Sequence, residues 1–263
     1  MHEKSKIRVF TFALIACGAY QAVLAMLQLY GFEQSRHNLY AFTGTFLNPG
    51  PFCGYIAFIL PLALDEWLEW RGRTLLVEKA VGFLFAAVCL LFIMLLPAGM
   101  SRAAWVSASV SSLFVLGKRY PGKMSRPLLL GAMAAVVGAV LLVASVLLFH
   151  FKEDSAKGRL LVWKITAGMI AERPLTGYGT ASFSSKYMDA QEAYFHNHPH
   201  APEWEARVAE TPEYAFNDYL QLACGRGLPA LVLALALPVL CYCHARRMQR
   251  WGVCGAWISL GIF

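Results

Sequence analysis

Charge is what this sequence lacks most. Only 15% of its 263 residues are Asp, Glu, Lys or Arg, against about a quarter in soluble domains, and 58% are hydrophobic. A soluble globular domain is thereby excluded. The deficit is concentrated: residues 9–32, 52–64, 80–99, 103–116, 127–149 and 228–243 contain no charged residue. Each run predicts a membrane helix, the shorter ones borrowing flanking residues to reach the roughly 17–25 needed to span. A seventh run begins at Trp251 and meets the end of the sequence, so the last helix is expected to be truncated.

Two further chemistries are missing. The seven cysteines lie mostly inside apolar runs, and Cys241 with Cys243 alternates at the end of one; neither a disulfide framework nor a zinc site follows. Internal repeats and ionisable residues within the helices, the usual marks of a transporter, are also absent, which weighs against the alternative of a lipid-linked sugar transporter.

The charges that are present fix an orientation. MHEKSKIR, the stretch from Asp65 to Lys79, GKRYPGKMSR and HARRMQR carry thirteen of the 23 Lys and Arg, whereas the alternating short loops carry only Arg36 and Arg102. By the positive-inside rule the amino terminus is cytoplasmic and the long segment from His150 to Arg226 lies outside. The net charge of +7 is then an orientation signal, and no nucleic-acid partner is expected. Lys4, Lys6 and Arg8 before an apolar run resemble a signal peptide, and LIAC at 14–17 a lipoprotein box, but the run continues to Leu29, too long for a cleaved leader. The fold class expected is an all-α integral membrane protein of six to seven transmembrane helices with one long extracytoplasmic loop of short interfacial helices. Five spans would occupy 1–149, the loop 150–227 and the remaining spans 228–263.

The loop is patterned. Ser155 to Pro174 has a capping serine, a closing proline and Leu161, Ile165 and Met169 on one stripe, which predicts a helix on the membrane surface with Arg159 and Trp163 one turn apart. Gly177 and Gly179 supply a tight turn. Phe183, Tyr187, Gln191 and Tyr194 follow at helical spacing, a stripe that reads as packing. YFHNHPH, residues 194–200, sets three histidines at alternate positions, open to metal ligation, a catalytic base or plain loop roles. Thr211 and Pro212 read as the cap and first residue of a helix through EYAFNDYLQLAC, with Asn217 and Gln221 on one face. Gly225, Gly227 and Pro229 then break it. Arg102, in LLPAGMSRAAW between two apolar runs, must snorkel or pair with an anion. With Arg159 and Arg226 it makes three guanidinium groups on one side, and such forks bind phosphate oxygens bidentately.

GTFLNPGPFCGY, MSRAAW, GRLLVWKITAGMIAERPLTGYGTASF and FNDYLQLACGRGL, in this order from about Gly44 to the end, resemble the O-antigen ligase and O-antigen polymerase superfamily. The resemblance implies a bacterial inner-membrane glycosyltransferase that takes an undecaprenyl-diphosphate-linked glycan and passes it to lipid A core, a growing polysaccharide or a protein hydroxyl, without metal or other cofactor, among membrane lipids. Arg102 and Arg159 match the family's arginines by their SR and GRLxxW contexts. Many relatives carry a histidine, their base, immediately before the asparagine of the loop's last helix, where this chain has Phe216. Another base, a different acceptor or a non-catalytic copy would each account for that departure. Asp218, His198 and His200 are the candidate substitutes, with His196, Glu210 and Glu213 nearby. Metal ligation by the histidines has no family precedent.

Overall fold

The computed structural model describes residues 2–120, 153–179 and 183–262, with positions 131, 135 and 138. Every regular element among them is helical: α1 (His2–Leu29), α2 (Pro49–Trp70), α3 (Leu76–Ala98), α4 (Arg102–Arg119), α5 (Glu153–Glu172), α6 (Phe183–Asn197), α7 (Glu203–Arg207), α8 (Asp218–Arg247) and α9 (Trp251–Ile262). The chain divides into two compact units, one of Met1–Ala144 with Pro238–Phe263, the other Ser145–Leu237. Among the described residues four helices are long and apolar enough to cross a membrane: residues 6–29 of α1, then α2, α3 and α8. The run at 103–116 forms α4 but is not among them. It buries Ser107 and Ser111, and Ser107 Oγ donates to the Ser259 carbonyl of α9 at 2.9 Å, so close packing there has replaced apolar bulk. The span expected over 127–149 lies outside the described residues apart from its three isolated positions.

In the first unit α2 is the hub, packing against α1, α3, α4 and α9. Asn48 caps it, Oδ1 accepting from Gly50 N at 2.8 Å, and Pro49 supplies a first helical residue with no N–H to satisfy. Phe52, Ile56, Ile59 and, from α3, Phe92 are wholly buried, and between helices of spanning length such side chains hold the bundle through close van der Waals packing. At the carboxyl end of α2, Glu66 receives Arg8 at 2.8 Å and Arg250 at 3.6 Å, while Arg119 reaches Asp65 at 2.7 Å and Glu69 at 2.9 Å. These charges come from all four segments that the positive-inside count sets on one side.

The connection from α1 to α2 is fastened by two glutamines one heptad apart. Gln28, 6% exposed, accepts from Thr43 N (2.9 Å) and Gly44 N (2.8 Å) and donates to Gly44 O (3.0 Å). Gln21 accepts from Thr45 N at 2.9 Å and donates to its hydroxyl at 2.7 Å. A side-chain amide presents the same donor and acceptor as a peptide group, so α1 holds this loop as a neighbouring strand would.

In the second unit Leu161, Ile165 and Met169 of α5 are buried with Phe183 and Tyr187 of α6 and with Val208, Ala215 and Cys224. The stripe on α5 therefore packs as its spacing predicts, and Phe183 and Tyr187 serve packing.

Candidate functional site

Two backbones meet in the second unit where the glycines fall. Tyr178 N donates to Cys224 O at 2.8 Å, Gly179 N to Gly225 O at 2.9 Å, and Leu228 N to Pro174 O at 2.7 Å. Main chain can approach main chain this closely only without Cβ atoms. A Cβ on Gly177 would stand 2.6 Å from Cys224 O, and one on Gly227 only 2.2 Å from Leu175 O. Gly227 also has φ 80 and ψ 169, a region essentially confined to glycine; helical geometry is interrupted there, so α8 is two helices meeting at a kink, the second running on to Arg247. The break expected at Gly225, Gly227 and Pro229 falls at Gly227. Beside it Thr176, Gly179, Gly225, Arg226 and Ala230 line a cavity of about 470 Å³. Arg226 is exposed.

A second constellation joins α5 to the segment before α8. Trp163 Nε1 donates to Ala215 O at 2.9 Å, and Ala215 N donates to Gln221 Oε1 at 2.7 Å. With both its backbone groups occupied, Ala215 is wholly buried. Asn217 Oδ1 then accepts from Tyr219 N at 3.0 Å and Leu220 N at 3.1 Å. Asn217, not Thr211, is therefore the cap, and the helix starts at Asp218 because Phe216 between the two anchors is left-handed, φ 53. The Arg159 guanidinium, one turn from Trp163, stands over the Phe216 ring at 5.4 Å. Asp218 is exposed at the helix start.

The histidine stretch belongs to another cluster. His198 stacks on Tyr194 at 4.5 Å and its Nδ1 lies 2.9 Å from Tyr194 O. Tyr194 OH donates to Glu205 at 2.7 Å, and Lys164 Nζ reaches Glu205 at 2.9 Å. Glu205 is only 2% exposed. Its burial pushes the carboxyl pKa up, but the hydrogen bonds from Lys164 and Tyr194 outweigh that and hold it below its ordinary range. Tyr194 and then Glu205 raise Lys164 in turn. His200 is exposed in the turn after α6. Among the described residues no group of three or more His, Cys, Asp or Glu is arranged to hold a metal.

The structure thus gathers Arg159, Trp163, Phe216, Asn217 and Gln221, gathers Gly177, Gly179, Arg226 and Gly227, and sets His198 with Lys164, Tyr194 and Glu205. Arg102 is in the other unit, where it opens α4 after Met100, a left-handed residue with φ 51. Sequence reasoning overlooked Lys164 and Glu205. PEWEAR offers two acids, Glu203 and Glu205, and nothing in spacing distinguishes the buried glutamate from the solvated one.

Among the described residues every regular element is helical, and several helices are apolar and of spanning length, which is the architecture of a membrane protein. A family model described as O-antigen ligase matches residues 85–235. The chain belongs to the O-antigen ligase family, whose members are membrane proteins. No curated protein and no solved structure matches it.

Proposed function

We propose that this protein transfers or polymerises an undecaprenyl-diphosphate-linked glycan onto an acceptor hydroxyl at the outer face of a bacterial inner membrane, with the amino terminus in the cytoplasm. The carrying observation is Arg159: an exposed guanidinium with no carboxylate partner among the described residues, held on the Phe216 ring. A diphosphate is a good leaving group, so catalysis requires neutralising its developing charge more than protonating it. Arg159 and Arg226, both in the second unit, supply that charge. The acceptor hydroxyl must lose a proton as the glycosidic bond forms, and Asp218 is the base this reading assigns, because it stands on the segment that Arg159 contacts. His198 has its ring stacked and one nitrogen against a carbonyl; His200 is the alternative base. Acceptors of one chemistry, a sugar hydroxyl on lipid A core or a growing glycan, or a hydroxyl of a protein, fit the same step.

The test is deletion of the gene with analysis of lipopolysaccharide, capsule, glycoprotein and the lipid-linked donor pool. Loss of one surface glycan with accumulation of its donor is expected. Unchanged profiles would contradict the reading.

A further inference from the structure

Phe216 is costly where it stands. A large apolar ring is 53% exposed, and its backbone occupies the left-handed region at φ 53, which costs a residue with a Cβ about 1–2 kcal/mol. The position is enforced rather than slack. Ala215 on one side has both backbone groups bonded, to Trp163 and Gln221, and Asn217 on the other caps α8. The two anchors leave Phe216 no helical alternative and direct its ring out beneath Arg159. Tyr214 and Tyr219, two and three residues away, are exposed as well, at 63% and 38%.

Resting on the glycan-transfer reading, we infer that Phe216 is the stacking platform for the sugar ring attached to the donor diphosphate. The ring face is electron-rich, and the C–H bonds on one face of a pyranose carry the complementary partial charge. The partner's identity also follows from distance. Arg159 covers one face of the ring, its guanidinium 5.4 Å from the centroid, so the pyranose takes the other face; in a glycosyl diphosphate a single oxygen separates the anomeric carbon from phosphorus, and the phosphate meets the long Arg159 side chain past the edge of the ring. Arg159 and Phe216 thus read the two halves of one ligand: the fork takes phosphate and the ring takes sugar. The subsite tolerates different hexoses because stacking needs a face, not a particular hydroxyl pattern. An aromatic could instead sit in the lipid interface, and the test separates the two, since leucine enters lipid as readily as phenylalanine but has no π face.

The experiment uses the whole chain in nanodiscs. It compares binding of undecaprenyl diphosphate alone with the same lipid carrying one glucosyl, galactosyl or N-acetylglucosaminyl residue. Wild type should bind at least one sugar-bearing form about two- to tenfold more tightly than the bare lipid, the range of an aromatic stacking pair. Phe216→Trp should keep that gain and Phe216→Leu should lose it, the gain being read within each variant as the ratio of sugar-bearing to bare-lipid affinity. A gain retained by Phe216→Leu would overturn the inference, as would equal binding of bare and sugar-bearing lipid by wild type. Loss of bare-lipid binding in Phe216→Leu would overturn it too, because the ring would then serve Arg159 alone. Binding of no lipid by wild type would sink the transfer reading itself and this inference with it.

Discussion

Replacing Gly227 with alanine should unlock the second unit. The added Cβ would stand 2.2 Å from Leu175 O, 2.5 Å from Leu175 C and 3.0 Å from Pro174 O, all backbone atoms that cannot rotate aside as a side-chain tip would. Relief requires the two chains to separate, and separation breaks the 2.7 Å bond from Leu228 N to Pro174 O. The φ and ψ of 80 and 169 are forbidden to alanine in addition. Backbone strain, overpacking and the lost hydrogen bond together amount to about 3–6 kcal/mol. For a unit of this size that lowers the unfolding midpoint by at least about 10 °C. Thermal proteolysis in native membranes, reading cleavage between residues 183 and 226, would measure it. Gly168→Ala is the control: it lies within α5 with nothing inside 4 Å of a new Cβ, so it should stabilise by about 0.5–1 kcal/mol. If Gly227→Ala melts with wild type, the backbone pairing of 174–179 with 224–228 is wrong.

Gln28→Leu should loosen the loop before α2 by about 2–4 kcal/mol, because it leaves the buried N–H groups of Thr43 and Gly44 without acceptors; protease resistance of residues 30–48 equal to wild type would contradict this. Acidification should weaken the second unit through Glu205. Its folded pKa is depressed, so its contribution is complete above the ordinary glutamate value of about 4.3 and is lost as pH falls below it; Glu205→Gln should flatten that acid limb of a melting-temperature profile, and an unchanged limb would refute the assignment. Reporter fusions should place Ala190 outside and Gly72 inside, and a cytoplasmic Ala190 would remove the outer-face site.

Much of the fold was legible because two signals act locally. Apolar runs without charge marked α1, α2, α3 and the later part of α8, and the 3.6-residue period of Leu161, Ile165 and Met169 marked α5 and its buried face. Charge asymmetry anticipated that Arg8, Arg119 and Arg250 share one end with Glu66. The start of α8 was not legible. Thr211-Pro212 has good capping chemistry, but the winning contacts come from Trp163 and Gln221, and Trp163 is 52 residues away from Ala215. The glycines turn and break the chain as their spacing predicts; what spacing does not carry is that Gly177 and Gly227 also let backbones about fifty residues apart come into contact. The Lys164, Tyr194 and Glu205 cluster was invisible for the same reason: burial of one carboxylate is a property of the assembled unit.

Arg159→Lys separates a guanidinium that binds the donor diphosphate from one that only supplies charge. Lysine keeps the charge but loses the bidentate fork, and each lost charge-assisted hydrogen bond costs about 1.5–3 kcal/mol, roughly ten- to a hundredfold in rate. Glycan transfer and donor accumulation should be measured in cells carrying wild type, Arg159→Lys and Arg159→Ala at matched protein level. Lysine should fail nearly as badly as alanine, with donor accumulating in both. Full transfer by Arg159→Lys would contradict it.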